Sequence, residues 1–248
     1  MSRTAEAIER LRKLIASGEL PPGAKLPREP DLAAQLGLSR SSLREAVSAL
    51  AHAQVLDVRR GDGTYVTSLE PGRLLEGIGL AVELVRDDTL PEVFEVRRLL
   101  EPAATALAAE RITSEGLADL RVHLEAMRSA GSAEELLRHD VAFHDCVMAT
   151  TGNRTLTSVI NGLSAPTVRA RVWRVSIETD VKTRIMTQHD SIYQALEARD
   201  GPLAHAAALL HVAESERDLL RAIAGSRDDD LEHTGGLGEK SGNHGMWR

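Results

Sequence analysis

Four polar side chains occupy positions on otherwise apolar helix faces, and their chemical types suit metal binding. Asp140 and His144 lie four residues apart in a segment whose pattern predicts a helix, so both side chains project from one face. That face also carries Leu136, Phe143 and Val147, which indicates that it is buried. Buried polar groups need partners, so further polar groups are expected from neighbouring helices.

Two more histidines meet that expectation. His189 continues the apolar stripe of Ile185 and Ile192, and His211 lies beside Leu210 in a later helical segment. A single inward histidine is usually a satisfied core residue. One carboxylate and three imidazoles from three helices instead favour a divalent transition-metal site, and zinc, nickel and manganese all suit these ligands.

The second chemical feature is a basic, hydroxyl-rich segment, LSRSSLREAVSAL, at residues 38–50. Arginine can bridge two acceptors of guanine or grip a phosphate, and serine hydroxyls reach either group. A solvated helix face with ordinary surface salt bridges is the alternative. The side chains grouped at the N-terminal end of this predicted helix are Ser39, Arg40, Ser41, Ser42 and Arg44.

The order of the predicted elements favours DNA binding. Helices are predicted at 4–16 and 29–36, Gly37 suits a left-handed helix end, and the basic helix, capped by Ser39, follows. After it, VLDVRRGDGTYV predicts two short strands that turn at GDG. The result is a helix-turn-helix with a wing, and the second helix of such a motif enters the major groove of DNA.

Composition and charge agree with an α-rich chain whose N-terminal part binds DNA. Aromatic residues make up only 2% of the 248 residues, which favours an α-rich fold over a β-sandwich. Residues 1–68 carry ten Lys/Arg and eight Asp/Glu, a net charge of +2, whereas the remainder carries 20 and 29, a net charge of −9. Nucleic acid is therefore expected to meet the N-terminal quarter. The single cysteine, the lack of a signal-peptide pattern and the lack of a long apolar run predict a cytoplasmic chain without a membrane role.

These patterns divide the chain into four parts. Residues 1–68 form the predicted DNA-binding domain, 69–73 a linker, 74–224 a helical domain and 225–248 a polar, glycine-rich disordered tail. The predicted fold is mainly α, with an N-terminal winged helix-turn-helix and a C-terminal all-α helical bundle.

Residues 10–67 resemble the winged helix-turn-helix of GntR-type transcriptional regulators. The segments PPGAKLP, LAAQLGLSRSSLREAVSAL and GDGTYV carry the resemblance. The resemblance implies that DNA is contacted by Arg40 and Arg44, with help from Ser39, Ser41 and Ser42, and that Arg60 and Gly61 form the wing tip near the minor groove.

The start of the second helix departs from that family. The family usually has Ser-Glu-Arg-Glu there, whereas residues 28–31 of this chain are Arg-Glu-Pro-Asp. Pro30 replaces an arginine that contacts DNA in relatives, and Arg28 is the candidate replacement for its charge. Loss of the capping serine is expected to weaken the helix start by roughly 1 kcal/mol.

Residues 75–222 resemble the FCD ligand-binding domain of FadR-like GntR regulators, through EVFEVRRLLEPAATALAAERI, TGN and the Asp/His positions. The resemblance implies a dimerising bundle of six or seven helices that holds an organic-acid or sugar-acid effector above a metal bound by Asp140, His144, His189 and His211. Arg97 matches a family arginine four residues before Glu101. A guanidinium suits a bidentate carboxylate grip, and a salt bridge to Glu101 is the alternative.

Other candidates are excluded from the site. His139 and His205 fall on other helix faces than their neighbouring ligands, and Cys146 is predicted to be a small packing residue. Alternating basic residues on a helix usually face solvent, as expected for Arg171 and Arg174 beside Trp173.

The sequence therefore predicts a metabolite-responsive transcriptional regulator, a repressor rather than an enzyme, that binds double-stranded operator DNA as a homodimer. Its cofactor is a divalent transition metal and its effector a small organic or sugar acid. One alternative keeps DNA binding but assigns the metal a purely structural role in a dimerisation domain. Another is a metal-dependent hydrolase or lyase, because an Asp/His site can activate water. No second carboxylate is poised as a general base, and an enzyme leaves residues 20–67 unexplained.

Overall fold

The structure is a computed structural model that describes residues 2–84, 89–164 and 181–235. The chain separates into two compact units, Met1–Leu80 and Ala81–Arg248. Both units are dominated by helices, and the strands of the described residues form one two-stranded sheet in the first unit. This architecture confirms the predicted fold class.

The first unit is a three-helix domain with a wing. Its elements are α1 (Arg3–Ala16), α2 (Glu29–Leu36), α3 (Arg40–His52), β1 (Leu56–Arg59), β2 (Gly63–Val66) and the one-turn helix α4 (Pro71–Leu74). The two strands pair antiparallel from Leu56↔Val66 to Arg59↔Gly63. Its core includes Ala7, Leu11, Leu32, Leu43 and Leu50, which α1, α2 and α3 contribute at helical spacing.

Local sequence sets the angle between α2 and α3. Gly37 ends α2 in the left-handed region with φ of 62°, where glycine carries no Cβ penalty. Ser39 then caps α3, because its Oγ accepts a hydrogen bond from the backbone N–H of Ser42 at 3.1 Å. Arg28 precedes α2 without a side-chain capping bond. The turn and the cap therefore form as predicted, and α2 lacks the cap expected from relatives.

The second unit is a helical bundle. Its described helices are α6 (Leu90–Arg111), α7 (Ser114–Ser129), α8 (Ala133–Thr150), α9 (Arg154–Leu163), α10 (Val181–Glu197) and α11 (Gly201–Gly235), and α5 (Glu76–Glu83) spans the boundary between the units. Within the bundle, α6 packs on α11, α7 packs on α8, and α10 packs on α11. These pairs fix the faces that carry the predicted metal ligands.

The start of α8 forms as its capping pattern predicts. Ser132 Oγ accepts a hydrogen bond from the Glu135 backbone N–H at 3.2 Å. The Glu135 carboxylate returns one residue further than in a standard capping box, accepting from the Gly131 N–H at 3.1 Å. This double contact fixes the helix that carries Asp140 and His144.

Two predicted segments differ from the structure. The helix α11 continues to Gly235, so residues 225–235 of the predicted disordered tail are helical. Polarity alone does not break a helix, and residues 226–234 contain neither glycine nor proline. The predicted linker at 69–73 contains the start of α4, because Pro71 occupies a first-turn position where its missing N–H costs nothing. Residues 236–248, Arg171, Trp173 and Arg174 lie outside the described residues.

Among the described residues, no helix is both long and apolar enough to cross a bilayer.

Candidate metal centre and nucleic-acid interface

Three helices of the second unit bring their histidines together. His144 on α8, His189 on α10 and His211 on α11 are all buried, and each offers a ring nitrogen within 4.8 Å of the other two. The His144 and His189 Nε2 atoms are 3.2 Å apart. These distances are short enough for all three imidazoles to bind one ion.

Asp140 joins this cluster through one carboxylate oxygen. Its Oδ1 lies 2.9 Å from His189 Nε2 and 3.8 Å from His144 Nε2. Ligand atoms on one ion with bonds of 2.0–2.2 Å are separated by roughly 2.8–3.6 Å at octahedral or tetrahedral angles. The carboxylate and the two imidazoles therefore stand at approximately the separation that a shared ion requires.

Outer hydrogen bonds orient two of the rings. His189 Nδ1 lies 2.9 Å from the Ile185 carbonyl oxygen, which can only accept, so Nδ1 carries a proton. His211 Nδ1 lies 3.1 Å from Gln188 Oε1, which also accepts. Contacts of this kind at Nδ1 set the orientation and tautomer of a ring, as the outer contacts of metal-bound histidines commonly do.

The donor set fits a cation. With its proton on Nδ1, a neutral His189 presents an Nε2 lone pair to the acceptor Asp140 Oδ1 and to His144 Nε2. Because Asp140 Oδ1 and the Nε2 lone pair of a neutral His189 both accept, their 2.9 Å contact needs an added proton or a metal ion between them. The burial of Asp140 and His189, together with the imidazoles of His144 and His211, favours a transition ion over a solvated hard cation.

Arg97 is buried on α6 and is already paired. Its side chain is 2% exposed, and its Nε donates to Glu101 Oε1 at 2.6 Å while Nη2 donates to Oε2 at 3.4 Å. Ser164 Oγ donates to the same Oε1 at 2.5 Å. The structure thus shows the salt bridge that was the alternative to an effector grip.

Two predicted DNA contacts on α3 are open to a ligand. Arg40 and Ser41 are exposed at the N-terminal end of the helix, and Ser39 Oγ lies 3.0 Å from Ser41 Oγ. Ser42 differs, because its side chain is 7% exposed and its Oγ lies 2.8 Å from Ser39 Oγ. Ser42 is therefore a poor candidate for a DNA contact, and its hydroxyl supports the helix cap. The sequence could not separate Ser41 from Ser42, since both stand in the first turn.

Arg44 is exposed but held by an acidic neighbour. Its Nε donates to both Glu29 carboxylate oxygens, at 2.9 and 2.8 Å. The hydrogen bond and the charge of Glu29 raise the pKa of Arg44. Sequence analysis did not single out Glu29, although it stands at the first position of α2, where acidic residues are favoured.

The wing is organised by a charged pair that the sequence analysis also missed. Lys25 Nζ lies 3.1 Å from Asp62 Oδ1, and Tyr65 Oη donates to the same oxygen at 3.0 Å. The hydrogen bonds from Lys25 and Tyr65 lower the pKa of Asp62. The pair fixes the base of the turn and leaves Arg60 and Gly61 exposed at its tip.

A groove runs between α2, α3 and the wing. It has a volume of about 780 Å³, and its lining includes Arg28, Arg44, Lys25 and Ser48. Arg28 is exposed directly before α2. The basic groups of the turn, the helix and the wing base therefore border one surface of the first unit.

Comparison with known protein families agrees with both units. Residues 3–66 match the family model "Bacterial regulatory proteins, gntR family", and residues 92–214 match the FCD domain. The chain is 34% identical to the HTH-type transcriptional regulator LutR of Bacillus subtilis over 212 residues, which cover 82% of this chain and 94% of LutR. The chain belongs to the GntR family and carries a C-terminal FCD domain.

Other relatives extend over the same two units. The galactonate operon transcriptional repressor of Escherichia coli is 28% identical over 225 residues, covering 88% of this chain and 97% of the repressor. The solved structure of a Streptococcus agalactiae GntR protein is 32% identical, covers 86% of this chain and 99% of its own, and aligns with a TM-score of 0.64. The 248-residue chain itself is therefore a DNA-binding transcriptional regulator and not an enzyme, as predicted, because the families that it matches and its relatives are regulators.

Proposed function

We propose that this GntR regulator is a metabolite-responsive repressor whose FCD unit binds one divalent transition ion and a small carboxylic acid. The buried cluster of His144, His189 and His211, with Asp140 Oδ1 2.9 Å from His189 Nε2, carries the metal assignment. Zinc, nickel and manganese are the candidate ions. The regulator acts in the cytoplasm, where operator DNA is reached.

The DNA contacts follow from the exposed groups of the first unit. Arg40 and Ser41 read or position DNA from the N-terminal end of α3, Arg44 joins them after leaving Glu29, and Ser39 keeps its capping role at the edge of the interface. Arg60 and Gly61 bring the wing tip to the minor groove. Arg28 supplies the phosphate contact that Pro30 cannot make.

The effector class rests on charge and on the relatives. A metal ion with positions left open can receive a carboxylate, which a hydroxy acid or sugar acid supplies. One relative is named for the galactonate operon, and another is named as a putative regulator of the L-lactate dehydrogenase operon. Galactonate and lactate are both hydroxy carboxylates, so they lead the set to be tested.

Fluorescence anisotropy with operator DNA tests the whole proposal. Metal-loaded protein should release DNA when an active hydroxy acid is added, and chelation should abolish that response. Reporter expression from the operator should rise when the gene for the regulator is deleted. A response to the acid that survives complete metal removal would contradict the metal-dependent mechanism.

A purely structural metal is the competing assignment. The observation that favours it is the salt bridge between Arg97 and Glu101, which already uses the guanidinium proposed to grip the effector. On that assignment the ion joins α8, α10 and α11, and no small acid changes DNA affinity. Thermal-shift screening of metal-loaded protein with hydroxy acids separates the structural role of the metal from the effector-binding role.

The role of Arg97 can be tested without leaving a buried charge. Removing Arg97 alone should destabilise the protein by about 3–5 kcal/mol, because Glu101 then lies buried without its cation. The double variant Arg97→Met/Glu101→Gln removes both charges and should fold and bind metal normally. If Arg97 exchanges Glu101 for the effector, this double variant loses the acid-induced thermal shift. A full acid response in the double variant would exclude Arg97 from the effector site.

We further propose that two copies associate through α6 and α11. These helices pack antiparallel, with Arg98 paired to Glu216 at one end and Gly201 next to Ala106 at the other. The exposed apolar residues of their outer faces are Leu99, Ala103, Leu203, Ala206 and Leu210. A two-fold dimer covers such a face and matches a pseudo-palindromic operator.

Charge substitutions test this interface. Leu99→Glu together with Leu210→Glu should convert a dimer into a monomer with the chain mass of 26.9 kDa, measured by light scattering after gel filtration. Val122→Glu on α7 is the matched control, because Val122 is similarly exposed. Retention of the dimer in the double variant would place the interface elsewhere.

A further inference from the structure

A second pair of histidines meets between α7 and α8, away from the buried cluster. His123 Nδ1 and His139 Nδ1 are 3.1 Å apart, with ring centroids 5.4 Å apart and planes inclined by 40°. Both side chains are half-buried, so solvent reaches the pair. Two ligands with 2.0–2.1 Å bonds at a tetrahedral ion stand about 3.3 Å apart. The observed separation is close to that value.

This pair is separate from the buried ligands. His139 directly precedes Asp140 on α8, and consecutive residues of a helix point about 100° apart. Asp140 therefore faces the bundle interior, where it is buried, while His139 faces the junction with α7. The sequence predicted different faces for these two residues, and the structure confirms that difference.

An aspartate lies next to the pair on α7. Asp119 is exposed one helical turn before His123. Burial and the neighbouring His139 lower the pKa of His123, whereas Asp119 raises it. Asp119 also raises the pKa of Cys146, after the larger effect of burial and together with Asp145. Since residues four apart on a helix share a face, Asp119 stands on the face of α7 that carries His123.

A cation on α8 also lies beside the pair. Arg138 Nη2 lies 3.4 Å from His139 Nε2. Arg138 is exposed and can turn into solvent when Nε2 carries a proton. Without an ion, one histidine donates its Nδ1 proton to the Nδ1 lone pair of the other. On metal binding that proton moves to Nε2 of the same ring through solvent, and the ion takes the Nδ1 lone pairs of both rings.

We propose that His123 and His139 form a second, solvent-accessible site for a divalent transition metal, with Asp119 as the third ligand and water completing the coordination. Among the described residues, only the buried histidines bring three candidate ligand atoms within 4.8 Å of one another. The Asp119 side chain must therefore turn toward the pair on binding, which its exposure permits. The bound ion joins α7 to α8 beside the helix that carries the buried site.

Metal titration of the full-length protein tests this site. Zn²⁺ or Ni²⁺ alone is added to metal-free protein in a large excess of Mg²⁺, and stoichiometry is measured by calorimetry and by elemental analysis after gel filtration. Wild-type protein should bind two ions per chain, and His123→Ala should bind one. His205→Ala is the matched control, because it removes an exposed histidine outside both sites and should leave two.

A variant that lacks the buried ligands separates the proposal of a second site from the proposal of the buried site. Asp140→Ala/His189→Ala should still bind one ion, and adding His139→Gln should abolish that binding. The His139→Gln and His123→Ala single variants must lose the same ion, since both nitrogens bind it. Unchanged stoichiometry in either single variant, or no ion bound by Asp140→Ala/His189→Ala, would overturn the second site whatever the buried cluster binds.

Discussion

Replacing Arg40 by alanine should weaken operator binding by about 1–3 kcal/mol, roughly a five- to 150-fold rise in Kd. Arg40 is exposed at the N-terminal end of α3, and among the described residues it has no ion-pair partner. The substitution therefore removes the proposed DNA contact without breaking an internal one. Gel-shift titration at fixed salt measures the change, and the thermal midpoint of the free protein should stay the same.

Arg12 offers the matched control for this prediction. It is an exposed arginine of α1, paired with Glu9, so Arg12→Ala changes the net charge equally without altering α3. If Arg12→Ala weakens binding as much as Arg40→Ala, the effect is one of total charge and not of contact. The salt dependence gives a second measure, since loss of one phosphate contact lowers the slope by about one.

Arg44 should behave differently because Glu29 holds it. DNA must displace the Glu29 carboxylate before Arg44 can bind a phosphate or a base. Glu29→Gln should therefore strengthen binding, by freeing Arg44 and by removing a negative charge close to the DNA. The Arg44→Ala/Glu29→Gln pair completes a double-mutant cycle that measures this competition. Additive effects would show that the ion pair does not restrain Arg44.

Asp140→Asn should remove the ion from the buried site and with it much of the thermal stability of the FCD unit. The substitution keeps the shape of the side chain but removes the anionic ligand that lies 2.9 Å from His189 Nε2. An ion held at about a thousand times its Kd stabilises the native state by about 4 kcal/mol. Metal-free protein should therefore melt well below the metal-loaded form.

Chelation gives the control within the same experiment. In a His139→Gln background, which lacks the proposed second site, a strong chelator should lower the thermal midpoint toward that of His139→Gln/Asp140→Asn, and should leave this double variant unchanged. A substitution that only damages packing would instead add to the effect of the chelator. His205→Ala, which lies outside the cluster, should respond like wild type.

The sequence determined much of the DNA-binding unit because its signals are local. Gly37 ends α2, Ser39 caps α3, and a strand pattern with two glycines forms the wing, each through contacts within a few residues. The same holds for the four inward polar side chains, since helical spacing alone places them on buried faces. Helical periodicity predicts which face of its helix a residue occupies, and this prediction needs no knowledge of tertiary contacts.

Tertiary structure decided what each of these residues meets. Spacing could not show that Glu29 binds Arg44, that Lys25 binds Asp62, or that Ser164 joins Glu101, because these partners are 15, 37 and 63 residues apart. It also could not bring His123 to His139, which depends on the register between α7 and α8. A side chain's direction is a property of its own helix, whereas its partner is set by how helices distant in the sequence pack together.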